Sequence, residues 1–328
     1  MNIKEYVNKM CVASKASSEI ISCLSESKKN AILKSLIDEI DNNKNNIIEA
    51  NNKDLEIIKS SENFANSFVD RLMINEDRIN SMTQSIQEII DFKDPVGEIR
   101  NLQTMSSGIK VGKMSMPLGV IAMIYESRPN VTIDASALSI KSGNSIILRG
   151  GSESINTNII LSNCITNSLV ANNVDKNVVQ LVDKTDRKIV NELFVQNNYI
   201  DIVIPRGGKN LIKLVDDLST ISVLRHLDGI CHVYVDEFAD INKAISICIN
   251  SKTQRTGVCN AMETLIVNSK VANIFLPLLE AELILKDVEI RGCKKTKEIL
   301  DSASLATDED WSTEYLSAII SVKCVKNL

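Results

Sequence analysis

Val120-Ile121-Ala122-Met123-Ile124-Tyr125 is the stretch that decides the fold. An unbroken apolar run of this kind suits a strand covered on both faces, and such strands belong to parallel sheets flanked by helices. The residues downstream point the same way. Thr132 to Ser142 reads as a helix and Ser145 to Leu148 as a second strand. A helix then starts at about Ser152, Val178 to Val182 is a third strand, Arg187 to Phe194 a helix and Ile200 to Ile204 a fourth strand. Strands alternating with helices imply right-handed βαβ crossovers and a parallel, Rossmann-type α/β sheet.

Toward the N-terminus the chain is helical. Ile32, Leu33, Leu36, Ile37, Ile40, Ile47 and Ile48 recur at helical spacing. Ser25 and Ser27 are candidate N-caps, and Asn42, Asn43, Asn45 and Asn46 mark a bend or break. A second amphipathic stretch, Glu76 to Phe92, ends at Pro95-Val96-Gly97. Ser107-Gly108 then predicts a hairpin over Met105 to Lys113. Toward the C-terminus come a strand at His232 to Val235, a helix at Asp240 to Ser251, a strand at Leu265 to Val267, a helix at Val271 to Leu283 and a strand near Leu316 to Val322. This pattern divides into two domains: residues 1–235 with the N-terminal helices and a dinucleotide-binding sheet, and residues 236–328 as an α/β catalytic domain.

The 328 residues are 44% hydrophobic and 24% charged, ordinary values for a chain with a buried core. A net charge of −5 offers no general attraction for nucleic acid. Met1 to Glu19 is polar and of mixed charge, without the pattern of a leader. No apolar stretch reaches the roughly 18 residues of a membrane span. A cytoplasmic protein with no membrane or nucleic-acid partner is expected. The eight cysteines form no C-x-x-C pair, so no disulfide framework is expected. Cys231 and His232 are adjacent but face opposite ways in a strand, which disfavours a shared metal; none is expected.

One thiol stands apart. In Gln254-Arg255-Thr256-Gly257-Val258-Cys259-Asn260 a small, flexible step brings Cys259 to the junction of a helix and a strand, a way of presenting a nucleophile. Two glycine turns come directly after predicted strands: Leu148-Arg149-Gly150-Gly151-Ser152-Glu153 and Pro205-Arg206-Gly207-Gly208-Lys209. Glycines there let the backbone approach a ligand, and the next helix N-terminus favours negative charge. The cations Arg149, Arg206 and Lys209 suit phosphate. An extra cation favours NADP over NAD.

Five ordered blocks carry a resemblance that covers essentially the whole chain. They are Ile124-Tyr125-Glu126-Ser127-Arg128-Pro129-Asn130-Val131-Thr132, the two glycine turns, His226-Leu227-Asp228-Gly229-Ile230-Cys231-His232-Val233-Tyr234-Val235-Asp236, and Gln254 to Glu263. The sequence resembles the gamma-glutamyl phosphate reductases (glutamate-5-semialdehyde dehydrogenases) of the aldehyde dehydrogenase superfamily. That resemblance implies a cofactor domain, a catalytic domain and an oligomerisation hairpin near residues 103–116. It also implies NADPH-dependent reduction of L-glutamyl 5-phosphate to L-glutamate 5-semialdehyde, the second step of proline synthesis. A homo-oligomer and a functional link to glutamate 5-kinase go with it. Thr256 stands where the family usually has proline. The family continues past the last residue here, so the resemblance implies a copy truncated at its C-terminus, with an incomplete catalytic domain.

The implied nucleophile is Cys259, with Arg255 near it in sequence and Asn260 beside it on the substrate side. Arg149, Gly150, Gly151, Ser152, Glu153, Pro205, Arg206, Gly207 and Gly208 are the expected cofactor contacts. Asn130 has two readings, an oxyanion donor or the cap of the helix near Thr132. His226 either serves the substrate, the leaving phosphate or a water, or packs structurally; Arg128 either binds the substrate carboxylate or phosphate, or is solvated. Two other functions fit the same residues: a catalytically impaired nucleotide-binding remnant, and a non-reducing acyl-thiol transferase.

Overall fold

The computed structural model describes residues 2–59, 66–126, 128–225 and 229–327. The chain divides into two compact units, Met1–His226 and Leu227–Leu328.

The first unit begins with helices α1 (Ile3–Ser22), α2 (Glu26–Asn42), α3 (Lys44–Lys59), α4 (Asn66–Leu72) and α5 (Glu76–Asp91). Ser25 caps α2, its hydroxyl accepting the Lys28 N–H at 3.3 Å, while Ser27 lies inside the helix. The expected break falls at Asn43, whose side-chain amide donates to the Glu39 carbonyl at 2.8 Å. A polar side chain that bonds back to the preceding turn competes with helix propagation. Strands β1 (Ile99–Thr104) and β2 (Lys110–Met114) form an antiparallel hairpin in which every residue is exposed, Ile99, Leu102, Val111 and Met114 included. These apolar side chains join none of the hydrophobic cores among the described residues.

The sheet comes next in the chain: β3 (Val120–Tyr125), α6 (Asn130–Lys141), β4 (Ser145–Arg149), α7 (Ile155–Ala171), β5 (Val179–Leu181), α8 (Lys188–Leu193), β6 (Ile202–Arg206) and α9 (Lys209–Leu218). All four strands are parallel, in the order β5-β4-β3-β6. Alternate residues of β3 serve two cores. Ile121 and Tyr125 join a cluster with residues of α2, α5, α6 and α7, whereas Val120, Ala122 and Ile124 join one with residues of α1 and α8. This two-sided burial is why the run contains no polar residue. Strand β6 starts later than expected because the Ile200 N–H closes a turn onto the Gln196 carbonyl at 2.9 Å.

The second unit contains β7 (Cys231–Val235), α10 (Ile241–Thr253), β8 (Met262–Asn268), α11 (Ala272–Ile284), β9 (Glu289–Gly292), α12 (Lys294–Ile299), β10 (Ser304–Leu305) and β11 (Ile319–Val325). Its sheet is again parallel, in the order β10-β9-β11-β8-β7. Val235, Leu265, Val267, Ile290, Ile320 and Val322 pack with α10 and α11. Because β7 pairs with β8, the division expected after residue 235 lies ahead of this strand instead. Strand β11 begins after Leu316, which takes a left-handed φ of 51°. Among the described residues no helix is long and apolar enough to cross a membrane.

Candidate active site

Cys259 sits on a half-buried turn between α10 and β8. The turn is closed by the Ala261 N–H donating to the Val258 carbonyl at 3.0 Å. The Cys259 carbonyl accepts the Cys231 thiol at 3.4 Å, so the loop is fixed against the start of β7. Gly229 packs on that same carbonyl: a Cβ added there would overlap the Cys259 oxygen. Among the described residues, nothing accepts the Cys259 N–H. Arg255 and Asn260 are exposed. The chain turns through Asn260 and Ala261 into β8, so Cys259 does not stand at a helix N-terminus.

The other thiols differ. Burial pushes Cys11 and Cys248 up to about 12 and Cys164 up to about 11, which leaves all three protonated and inert at neutral pH. For Cys293, burial opposes ionisation, but bonds from Thr296 and from the N–H groups of Cys324, Thr296 and Lys295 hold it below its ordinary value. Among the described residues no group of three or more His, Cys, Asp or Glu side chains could hold a metal ion.

In the first unit, both glycine turns lie at the C-terminal ends of strands that flank β3. The chain leaves β3 toward β4 and β5, then returns to the other side of β3 as β6. The crevice at such a reversal is where open α/β sheets bind ligands. Gly150 is required by packing, since a Cβ would collide with the Asn158 amide and stand 3.1 Å from the Tyr125 ring. Arg149 is half-buried; desolvation lowers its pKa and the Glu153 charge raises it, which places the two side chains across the turn from each other.

The helix after this turn is not free to take an anion. Asp54 of α3, 1% exposed, accepts the N–H groups of Asn156 and Thr157 at 3.2 and 2.9 Å, and the Thr157 hydroxyl at 2.6 Å. The negative charge expected at the α7 N-terminus is thus the protein's own, and the turn presents Arg149 and Glu153 rather than helix N–H groups. Asp54→Asn would turn an amide N–H toward these donors. It is expected to cost about 1–3 kcal/mol, measured as a lower urea midpoint at unchanged slope. At the second turn, Glu126 at the end of β3 accepts the Gly208 N–H at 3.1 Å, and its own N–H donates to the Arg206 carbonyl at 3.2 Å. Gly208 has open space where a Cβ would be. This carboxylate is exposed.

A cavity of about 610 Å³ beside α6 brings together Arg128, Asn130 and Arg206 from two separate sequence blocks, over an apolar floor that includes Ile121, Met123 and Ile204. Asn130 is the first residue of α6 and makes no capping bond; its amide donates to Asp134 at 3.0 Å. The cap reading of Asn130 is therefore replaced by a side-chain pair at the cavity wall. Asp134, which sequence reasoning missed, has its carboxyl pushed up by burial, against the lowering effect of the Asn130 amide. His226 lies outside the described residues.

Comparison with known proteins adds to this geometry. The aldehyde dehydrogenase family model matches residues 2–290. The gamma-glutamyl phosphate reductase of Ruthia magnifica subsp. Calyptogena magnifica is 43% identical over 327 residues, covering 100% of this chain and 78% of the relative. That of Francisella philomiragia is 47% identical over 319 residues, covering 96% and 76%. The crystal structure of the Thermotoga maritima gamma-glutamyl phosphate reductase superposes with a TM-score of 0.92 at 40% identity, covering 98% of this chain and 77% of that one.

Proposed function

Because this chain belongs to the aldehyde dehydrogenase family, among its gamma-glutamyl phosphate reductases, and is an oxidoreductase, we propose that it reduces L-glutamyl 5-phosphate to L-glutamate 5-semialdehyde and phosphate with NADPH, through a thioester on Cys259, as the second step of proline biosynthesis. The observation that carries this is the Cys259 turn: a half-buried thiol at a helix–strand junction, with its backbone N–H unclaimed among the described residues.

The Cys259 thiolate attacks the acyl carbon and phosphate leaves with its electron pair, so no strong general acid is needed. The backbone N–H of Cys259 serves the developing oxyanion. In the first unit, Asn130 offers a side-chain donor, its amide bonded to Asp134, and Arg128 suits an anionic group. In the second unit, Arg255 suits an anionic end of the substrate, and Asn260 follows Cys259 directly in the chain.

The residues present fit a dinucleotide. The glycine turns stand at the reversal point of the sheet, Gly208 is open, and Arg149 and Arg206 supply cations. Arg149, Gly150, Gly151, Ser152, Glu153, Pro205, Arg206, Gly207 and Gly208 would hold NADP, the two arginines favouring a 2′-phosphate. When bound, the reduced cofactor supplies the hydride that takes the acyl group to the aldehyde level. The exposed hairpin supports self-association, and an acyl phosphate substrate calls for a carboxylate kinase upstream, here glutamate 5-kinase.

The test runs the reaction backward. With glutamate 5-semialdehyde, NADP and inorganic phosphate, the protein is expected to produce NADPH, followed by absorbance, and to stop when phosphate is omitted. Absence of NADPH with all three present would overturn the proposal, and acyl transfer without nicotinamide turnover would favour the transferase instead.

A further inference from the structure

Both ends of the loop that carries Cys259 are tied together beneath it. Lys252 lies in the last turn of α10 and Glu263 is the second residue of β8. Their side chains meet at 2.7 Å, and both are 0% exposed. The intervening residues, 253–262, are closed at their base by this single ion pair. The second Glu263 oxygen accepts the Leu316 N–H at 3.2 Å. Leu316 holds its left-handed φ of 51°, a conformation costly for a branched side chain unless its surroundings impose it. The Leu316 carbonyl stands 3.7 Å from where a Gly257 Cβ would be, and a Glu314 carboxylate oxygen 3.2 Å from where a Gly229 Cβ would be. One carboxylate therefore registers the nucleophile loop and the segment that lies against it.

A buried ion pair is a poor way to gain stability, since apolar residues of similar volume do as well or better. Positions 252 and 263 both lie where apolar residues would fit. Lys252 continues the buried stripe Ala244, Cys248, Lys252 of α10, and Glu263 is the one charged residue of a buried strand that also holds Met262, Leu265 and Val267. We propose that Lys252 and Glu263 are positioning residues that hold the Cys259 turn, and with it the Glu314–Leu316 segment, in the geometry needed for thiol attack. This rests on Cys259 being the nucleophile.

Lys252→Met and the double variant Lys252→Met/Glu263→Met are compared with the unaltered protein for kcat, KM and the alkylation of each cysteine by iodoacetamide, followed by peptide mass spectrometry from neutral to alkaline pH. Cys293 is the internal standard. It lies toward the other end of the same sheet, where its N–H donates to the Val322 carbonyl at 2.9 Å. Expected are a fall in kcat of about tenfold with KM nearly unchanged, and a displaced pH profile for Cys259 alone. The double variant leaves no lone buried charge, so it separates positioning from folding. Wild-type kcat and Cys259 profile in either folded variant would overturn the proposal, as would Cys259 and Cys293 changing together. A double variant that does not fold assigns the pair to stability and overturns it too. Turnover retained by Cys259→Ser sinks the nucleophile itself; an inactive Cys259→Ser beside unaffected clasp variants sinks only the clasp.

Discussion

Cys259→Ser is expected to lower NADPH production from glutamate 5-semialdehyde, NADP and phosphate by on the order of 10⁴-fold or more. The physical reason is ionisation. A thiolate is a strong nucleophile, whereas a serine hydroxyl stays protonated across the working pH range and is a far weaker one. Binding of NADPH, measured by its fluorescence, is expected to survive, because the proposed cofactor contacts all lie in the first unit. Cys248→Ser is the control: that thiol is fully buried on α10 and held protonated, so its loss is expected to change the melting temperature and not the chemistry. Intact turnover in the serine variant would remove Cys259 from the mechanism.

Gly229→Ala is expected to have the second largest effect, a fall in kcat of roughly 10²-fold, the scale reached when a reacting group is displaced by about an ångström. The obstacle to the new methyl is the backbone carbonyl of Cys259, with Glu314 close by, so no rotamer change can relieve it. Either the residue 229 backbone or the Cys259 turn has to move. Gly257→Ala, in the same loop, meets nothing nearer than the Leu316 carbonyl at 3.7 Å and is expected to be mild. Steady-state kinetics on the two variants side by side provide the measurement. Equal effects would mean that the contact at Gly229 does not set the position of the thiol.

Much of the fold was legible because burial imposes periodicity. The run Val120–Tyr125 is apolar on both faces since helices cover both sides of the sheet, and its residue types alone identify it; of β8 only Leu265 to Val267 read as strand, because Glu263, Thr264 and Asn268 interrupt the apolar pattern. Strand β9 and helix α12 escaped because they are short and carry charge: Glu289 and Arg291, which bond to each other at 2.8 Å, leave Ile290 as the one large apolar residue of β9. The Cys259 turn was visible as a helix–strand junction. The side chains that hold this turn and the two glycine turns were not, because Asp54, Glu126 and Lys252 act on residues that only the folded chain brings near. A signal did exist for the last of these. A lysine on the apolar stripe of α10 and a glutamate just ahead of the Leu265–Val267 run each break the local pattern, and two such buried charges call for each other.

Strand β11 lies between β9 and β8, so the sheet of the second unit is built around the residues that are synthesised last among its strands. The sheet of the first unit is complete once β6 has emerged from the ribosome. The second has to wait, with β7, β8 and β9 already outside and their central neighbour still in the exit tunnel. During that interval two strand edges, those of β8 and β9, stay unpaired, the condition under which nascent chains aggregate or engage chaperones.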